Sequence, residues 1–108
     1  MRISKLQRDC IKQTVFKYFG AGSDLRLFGS RVDDNARGGD IDLYIEPEIR
    51  DVDAIAAAKL DTLLELHQLL GEQKIDLVIN RKVGEILSIY KVAIKTGVTL
   101  WIKSYFRE

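Results

Sequence analysis

Seven residues constrain this chain more than any others: Asp40-Ile41-Asp42-Leu43-Tyr44-Ile45-Glu46. Their alternation has the two-residue period of a β-strand, with Ile41, Leu43 and Ile45 on one face. Pro47 follows and ends the strand, since proline cannot donate to a sheet ladder. Residues 53–70 then read as a helix, with Ile55, Ala56, Leu60, Leu63, Leu66 and Leu70 as its apolar face. Asp51 or Asp53 can cap its start, and Gly71 sits past its end. Lys74–Ile79 is a further strand. A strand, a helix and a strand in succession predict a parallel pair joined by a crossover.

The flanking segments complete one layer of strands packed on helices. Residues 4–19 predict a helix capped by Ser4 and Gly20, with Leu6, Cys10, Ile11, Val15 and Phe19 on its apolar face. Asp24–Phe28 alternates as a short strand that Gly29-Ser30 breaks. Residues 31–39 form a polar, glycine-ended loop with room for one helical turn. Residues 84–96 predict a third helix with Ile86, Ile89, Tyr90, Ala93 and Ile94 inward, closed by Gly97. Val98–Ile102 can add a last strand. The expected class is α/β (α+β): a mixed three- to four-stranded sheet flanked by helices. Its order is helix, strand, short helix or loop, strand, helix, strand, helix. Residues 1–108 form one domain.

Composition narrows the function classes. With 17 basic and 16 acidic residues the net charge is +1, so the basic surface of a nucleic-acid binder is absent and direct nucleic-acid binding is not expected. One cysteine, Cys10, excludes an intramolecular disulfide and any multi-cysteine zinc site, and a reducing, cytoplasmic setting fits best. No apolar run approaches the roughly 18 residues of a membrane span, and the first five residues lack the apolar core of a signal peptide. No membrane partner is expected.

Three features between Leu27 and Ile79 carry chemistry. Asp40 and Asp42 lie two apart on a strand, so they share a face at about 7 Å. An isolated Asp-x-Asp more often marks a wet sheet face. Aspartate is depleted in strands, however, and two like charges on one face call for cations or hydrogen bonds. Their oxygens suit hard cations such as magnesium. Gly29-Ser30 directly follows a strand, where glycine admits a phosphate to the backbone and serine adds a hydroxyl donor. Asp76, between Ile75 and Leu77, reaches the face of the pair if the two strands are neighbours; otherwise it is an edge aspartate facing water. Three carboxylates on adjacent strands can hold two metal ions about 3.5–4 Å apart for in-line transfer at phosphorus.

Gly29-Ser30, nine residues, Asp40-x-Asp42 and a later strand aspartate together resemble the signature of the nucleotidyltransferase superfamily of DNA polymerase beta type. The small size and the run Ile94-Lys95-Thr96-Gly97-Val98-Thr99-Leu100-Trp101 look most like the minimal nucleotidyltransferases, the antitoxin halves of HEPN/minimal-nucleotidyltransferase toxin–antitoxin pairs. The resemblance implies magnesium-dependent transfer of AMP from ATP, with two Mg2+ ions, to a hydroxyl of a HEPN-type toxin, a tyrosine in related proteins. Such a protein is a type VII-like antitoxin. Carried over by position, Gly29 and Ser30 hold the triphosphate. Arg31, next to Ser30, either reaches the triphosphate or faces solvent. Asp40, Asp42 and Asp76 hold the metals, and Asp76 helps to activate the acceptor. A chain of 108 residues leaves little for a second pocket, so the acceptor site is expected to be completed by another chain. The alternative is a non-catalytic antitoxin that neutralises its partner by binding alone.

Other residues attract attention for less. His67 reads as a core-edge histidine, Cys10 as core filler, and Asp33 and Asp34 as solvated loop residues. In the aromatic terminal segment, Trp101 is expected to fold back on the core, whereas Tyr105 and Phe106 are expected at a partner contact.

Overall fold

The computed structural model describes residues 3–29, 40–71 and 73–101. The elements are α1 (Lys5–Phe19), β1 (Asp24–Phe28), β2 (Ile41–Glu46), α2 (Val52–Leu70), β3 (Ile75–Ile79), α3 (Ser88–Thr96) and β4 (Val98–Trp101). They form a four-stranded mixed sheet in the order β3-β2-β1-β4, with helices on both faces. The expected α+β class and element order hold for the described residues; the loop or helical turn expected at 31–39 lies outside them. The crossover prediction holds too: β2 and β3 pair in parallel, whereas β1 pairs antiparallel with both β2 and β4.

Local chemistry accounts for the helix ends. Ser4 Oγ accepts from Gln7 N–H at 3.0 Å while Gln7 Oε1 accepts from Ser4 N–H at 2.9 Å, a reciprocal cap that satisfies two otherwise unpaired donors. Asp51 caps α2, its Oδ2 accepting from Ala54 N–H at 2.9 Å, and Asp53 in the first turn complements the helix dipole. Gly71 N–H closes that helix on His67 O.

The alternation of the strands divides the sheet into two faces. Leu25, Leu27, Ile41, Leu43, Ile45, Ile75 and Leu77 meet Ile11, Val15 and Phe19 of α1 and Ile55, Ala58 and Leu66 of α2 in the main core. On the other face Phe28, Tyr44 and Val78 meet Tyr90 and Ala93 of α3. Trp101 returns to the core as expected, 4.9 Å from the Phe16 ring, its indole N–H donating to Ala21 O. Among the described residues, no helix is long and apolar enough to cross a membrane.

Some expectations need correction. The third helix begins at Ser88, four residues later than predicted. Asn80 Oδ1 accepts from Lys82 N–H at 2.8 Å, which turns the chain through a left-handed Lys82, and Gly84 follows at positive φ. Residues 81–87 are therefore loop. Only Ala93 is buried on α3 and Tyr90 is half-buried, whereas Ile86, Ile89 and Ile94 are exposed rather than inward. Leu6 on α1 and Ala56 and Leu60 on α2 also face solvent, because each helix has only one flank against the sheet and the other helix. His67 is exposed, with Nε2 3.0 Å from Gln73 O, rather than at the core edge. Cys10 is half-buried. Asp33, Asp34, Ile102, Tyr105 and Phe106 lie outside the described residues.

The difference between apparent and actual core positions is measurable. Phe19→Ala, at a fully buried site, is expected to cost about 3–5 kcal/mol in urea unfolding, whereas Leu6→Ala, at a residue 73% exposed, is expected to change stability by less than about 0.5 kcal/mol.

Candidate active site

Register brings the acidic residues together. Phe28 of β1 lies opposite Asp42 of β2, and Asp42 lies opposite Asp76 of β3. The three side chains form one row across three strands on the face that α3 only partly covers. Asp42 is half-buried beside Phe28, and Asp76 on the edge strand is exposed. Both sequence readings of Asp76 are thus satisfied: it is an edge aspartate and it stands beside Asp42. Asp40 precedes β2 on the same alternation, with Oδ2 3.8 Å from Lys74 Nζ in an exposed ion pair.

The electrostatics follow from that row. Burial raises the Asp42 carboxyl above its ordinary range, and the Asp76 charge beside it, within hydrogen-bonding reach, pushes it further. Asp40 adds to the rise and Lys74 opposes it. Asp42 therefore experiences a deficit of positive charge that a bound cation would relieve. Among the described residues, no three carboxylates converge on a single point as a ready-made metal cage. The donor set itself, hard carboxylate oxygens on neighbouring strands, fits Mg2+, which keeps several waters and uses few carboxylates. Asp42 and Asp76 would be the residues to contribute directly to such an ion, and Asp40 after leaving Lys74.

Gly29 explains how the Asp42 carboxylate is accommodated. It ends β1 with φ +76, and a Cβ at this position would overlap Asp42 Oδ2. Glycine here both permits the left-handed backbone and leaves room for the carboxylate. Of the sequence-predicted set, Gly29, Asp42 and Asp76 are brought together and Asp40 stands at their margin. Ser30 and Arg31 lie outside the described residues.

Sequence reasoning missed several residues. A groove of about 660 Å³ contains Asp42 and Asp76 and is walled by Lys59 and Leu63 of α2 and Ile89 of α3. Nothing in the local pattern marks Lys59 or Lys74, because their position depends on how the crossover closes. The second omission is the polar anchor along β2. Buried Tyr44 donates its hydroxyl to Glu46 Oε2 at 2.6 Å and accepts from Asn80 Nδ2 at 2.9 Å. Lys82 Nζ reaches Glu46 Oε1 at 3.3 Å. Burial and the Glu46 carboxylate push the phenol pKa upward, so Tyr44 remains a donor. The strict alternation of Asp42, Tyr44 and Glu46 was the available signal for this anchor.

No protein-family model and no curated protein matches the chain.

Two measurements test the geometry. A carboxyl whose folded pKa lies above its unfolded value near 3.9 destabilises the fold once it ionises, and the penalty disappears below that value. Asp42→Asn is therefore expected to raise the melting temperature at pH 7, with the gain shrinking as the pH falls to about 4. Gly29→Ala is expected to cost about 1–2 kcal/mol from the left-handed backbone alone, and to shift the Asp42 carboxyl resonance in NMR spectra.

Proposed function

We propose that this chain is a nucleotidyltransferase that moves AMP from ATP to a hydroxyl, a tyrosine, of a HEPN-type toxin, and so acts as a type VII-like antitoxin. The observation that carries the reading is the row of Asp42 and Asp76 in parallel register, with side-chain-free Gly29 against it. Two carboxylates forced together on one sheet face beside a groove are costly for a purely structural surface. They suit a site that handles cations and phosphates.

In this reading Asp40, Asp42 and Asp76 would hold Mg2+, which would supply charge neutralisation and Lewis-acid polarisation at the phosphates. The acceptor oxygen forms a bond to the α-phosphorus while the bond from that phosphorus to the bridging oxygen of the β-phosphate breaks. Pyrophosphate leaves and AMP stays on the acceptor oxygen. The hydroxyl proton passes to Asp76, the more exposed of the two facing carboxylates. Gly29 keeps the approach to the Asp42 carboxylate open. Ser30 completes the triphosphate site by the resemblance of the Gly-Ser motif, and Arg31, next to it in sequence, supplies a cation for the phosphates.

The test is label transfer from ATP carrying label at the α- or the γ-phosphate, with Mg2+ and a lysate of the source organism. The expected result is a protein labelled from the α position only, with Asp42→Asn lowering the yield at least about a hundredfold. Neutralisation of the toxin without α-label would instead assign the chain to occlusion by binding. Label on RNA would retain the chemistry and change the acceptor.

A further inference from the structure

The sheet order leaves β3 at an edge, and among the described residues no strand pairs with its outer side. Backbone direction can be read from two hydrogen bonds. Ile41 N–H donates to Lys74 O, and Asn80 N–H donates to Ile45 O, both at 2.9 Å. In a parallel ladder alternate residues turn their backbone groups to the same neighbour. Lys74, Asp76, Val78 and Asn80 therefore pair towards β2, and Ile75, Leu77 and Ile79 point theirs outward. Tyr90 of α3 donates its hydroxyl to Ile79 O at 3.2 Å. Among the described residues, none pairs with the outward N–H and C=O groups of Ile75 and Leu77.

That edge borders the groove beside the acidic pair. The groove that holds Asp42 and Asp76 is floored by Ile75 and Leu77, with Lys59 and Leu63 on one wall and Ile89 on the other. We propose that an extended segment of a partner polypeptide adds to the sheet along β3, with its acceptor hydroxyl side chain opposite Asp76. Its transfer chemistry rests on the function proposed above; its binding mode does not.

Strand addition accounts for features that a generic apolar contact would not. Backbone groups at Ile75 and Leu77 supply affinity without sequence specificity. The residue opposite Asp76 on an added strand has its Cβ about 4.5–5.5 Å from that of Asp76, so a hydroxyl there meets the carboxylate. Side chains of the opposite alternation fall towards Leu63. A second copy of this chain is a poor occupant. Two-fold pairing of β3 with itself would bring Asp76 near its counterpart and set two acidic rows side by side, which is repulsive. The fitting segment carries a hydroxyl residue, apolar alternate positions and no acidic side chain facing Asp76.

The experiment uses the full chain without ATP or divalent metal, so binding is read apart from transfer. Random linear peptides displayed on phage are selected on the protein. The strongest binder is then synthesised with a twin whose alternate backbone amides are N-methylated. The expected result is that the peptide shifts the Ile75 and Leu77 amide resonances of 15N-labelled protein and slows their hydrogen exchange, and that the twin binds at least about tenfold more weakly. A twin that binds equally well, a binder that leaves both amides unchanged, or a selection that yields no binder overturns the proposal. A dimer in sedimentation that protects the same amides assigns the edge to a second copy and also overturns it. Strand binding without label transfer from ATP would keep this inference and remove the transferase reading. Transfer to a hydroxyl peptide locked as a helix would do the reverse.

Discussion

The parallel register of β2 on β3 is the constraint on which the rest depends. It places Asp42 opposite Asp76, a like-charge contact worth a few kcal/mol of repulsion at protein-surface dielectric. The same register turns Ile41, Leu43, Ile45, Ile75 and Leu77 together into the main core, and burying five aliphatic side chains contributes roughly 8–15 kcal/mol. Burial therefore decides the pairing. A slip of one residue would separate the carboxylates but turn Ile75 and Leu77 out of the core. A slip of two would keep the faces but break the Asn80–Tyr44–Glu46 anchor and take both partners from the hydroxyl of buried Tyr44. The acidic row survives because no alternative register satisfies both the apolar face and that anchor.

The crowded carboxylates are also sheltered unequally. Phe28 on one side desolvates Asp42, while Asp76 on the edge stays wet. Two chemically identical groups thus have different environments, one half-buried and one exposed. Gly29 belongs to the same device, because any side chain there would compete with the Asp42 carboxylate for space. Lys74 sits at the margin, paired loosely with Asp40 and weakly opposing the rise at Asp42. An exposed pair of this kind is worth little, so it does not prevent Asp40 from taking another partner.

What could be read in the sequence was what local pattern determines. The alternation of residues 40–46 and 74–79 located both strands to within one residue, and the helix between them implied the parallel pairing that brings Asp76 to Asp42. The two long helices and their caps were equally legible, since Ser4, Asp51 and Gly71 act on their own neighbours. The third helix was not. Its apolar residues at helical spacing suggested an inward face, but a side-chain turn at Asn80 and positive φ at Lys82 and Gly84 hold Ile86 in a loop. Only small Ala93 and Tyr90 remain against the sheet. Lys59 and Ile89 reach the site from α2 and α3, and that depends on helix placement over the sheet, which periodicity does not encode.

The edge position of β3 ties stability and chemistry together. Ile-Asp-Leu-Val-Ile is a strand-forming run with no proline, the kind of edge that pairs readily with another chain. Asp76 is its one charge, and a charge on an edge strand discourages indiscriminate pairing. Here that charge is backed by Asp42, so a strand that adds to this edge must bring a compatible group to the same spot. The charge that opposes self-pairing at this edge is thus the one that, in the proposed strand addition, would meet an incoming hydroxyl. Removing the charge would relax both at once: the edge would accept more strands, and it would lose the carboxylate that distinguishes among them.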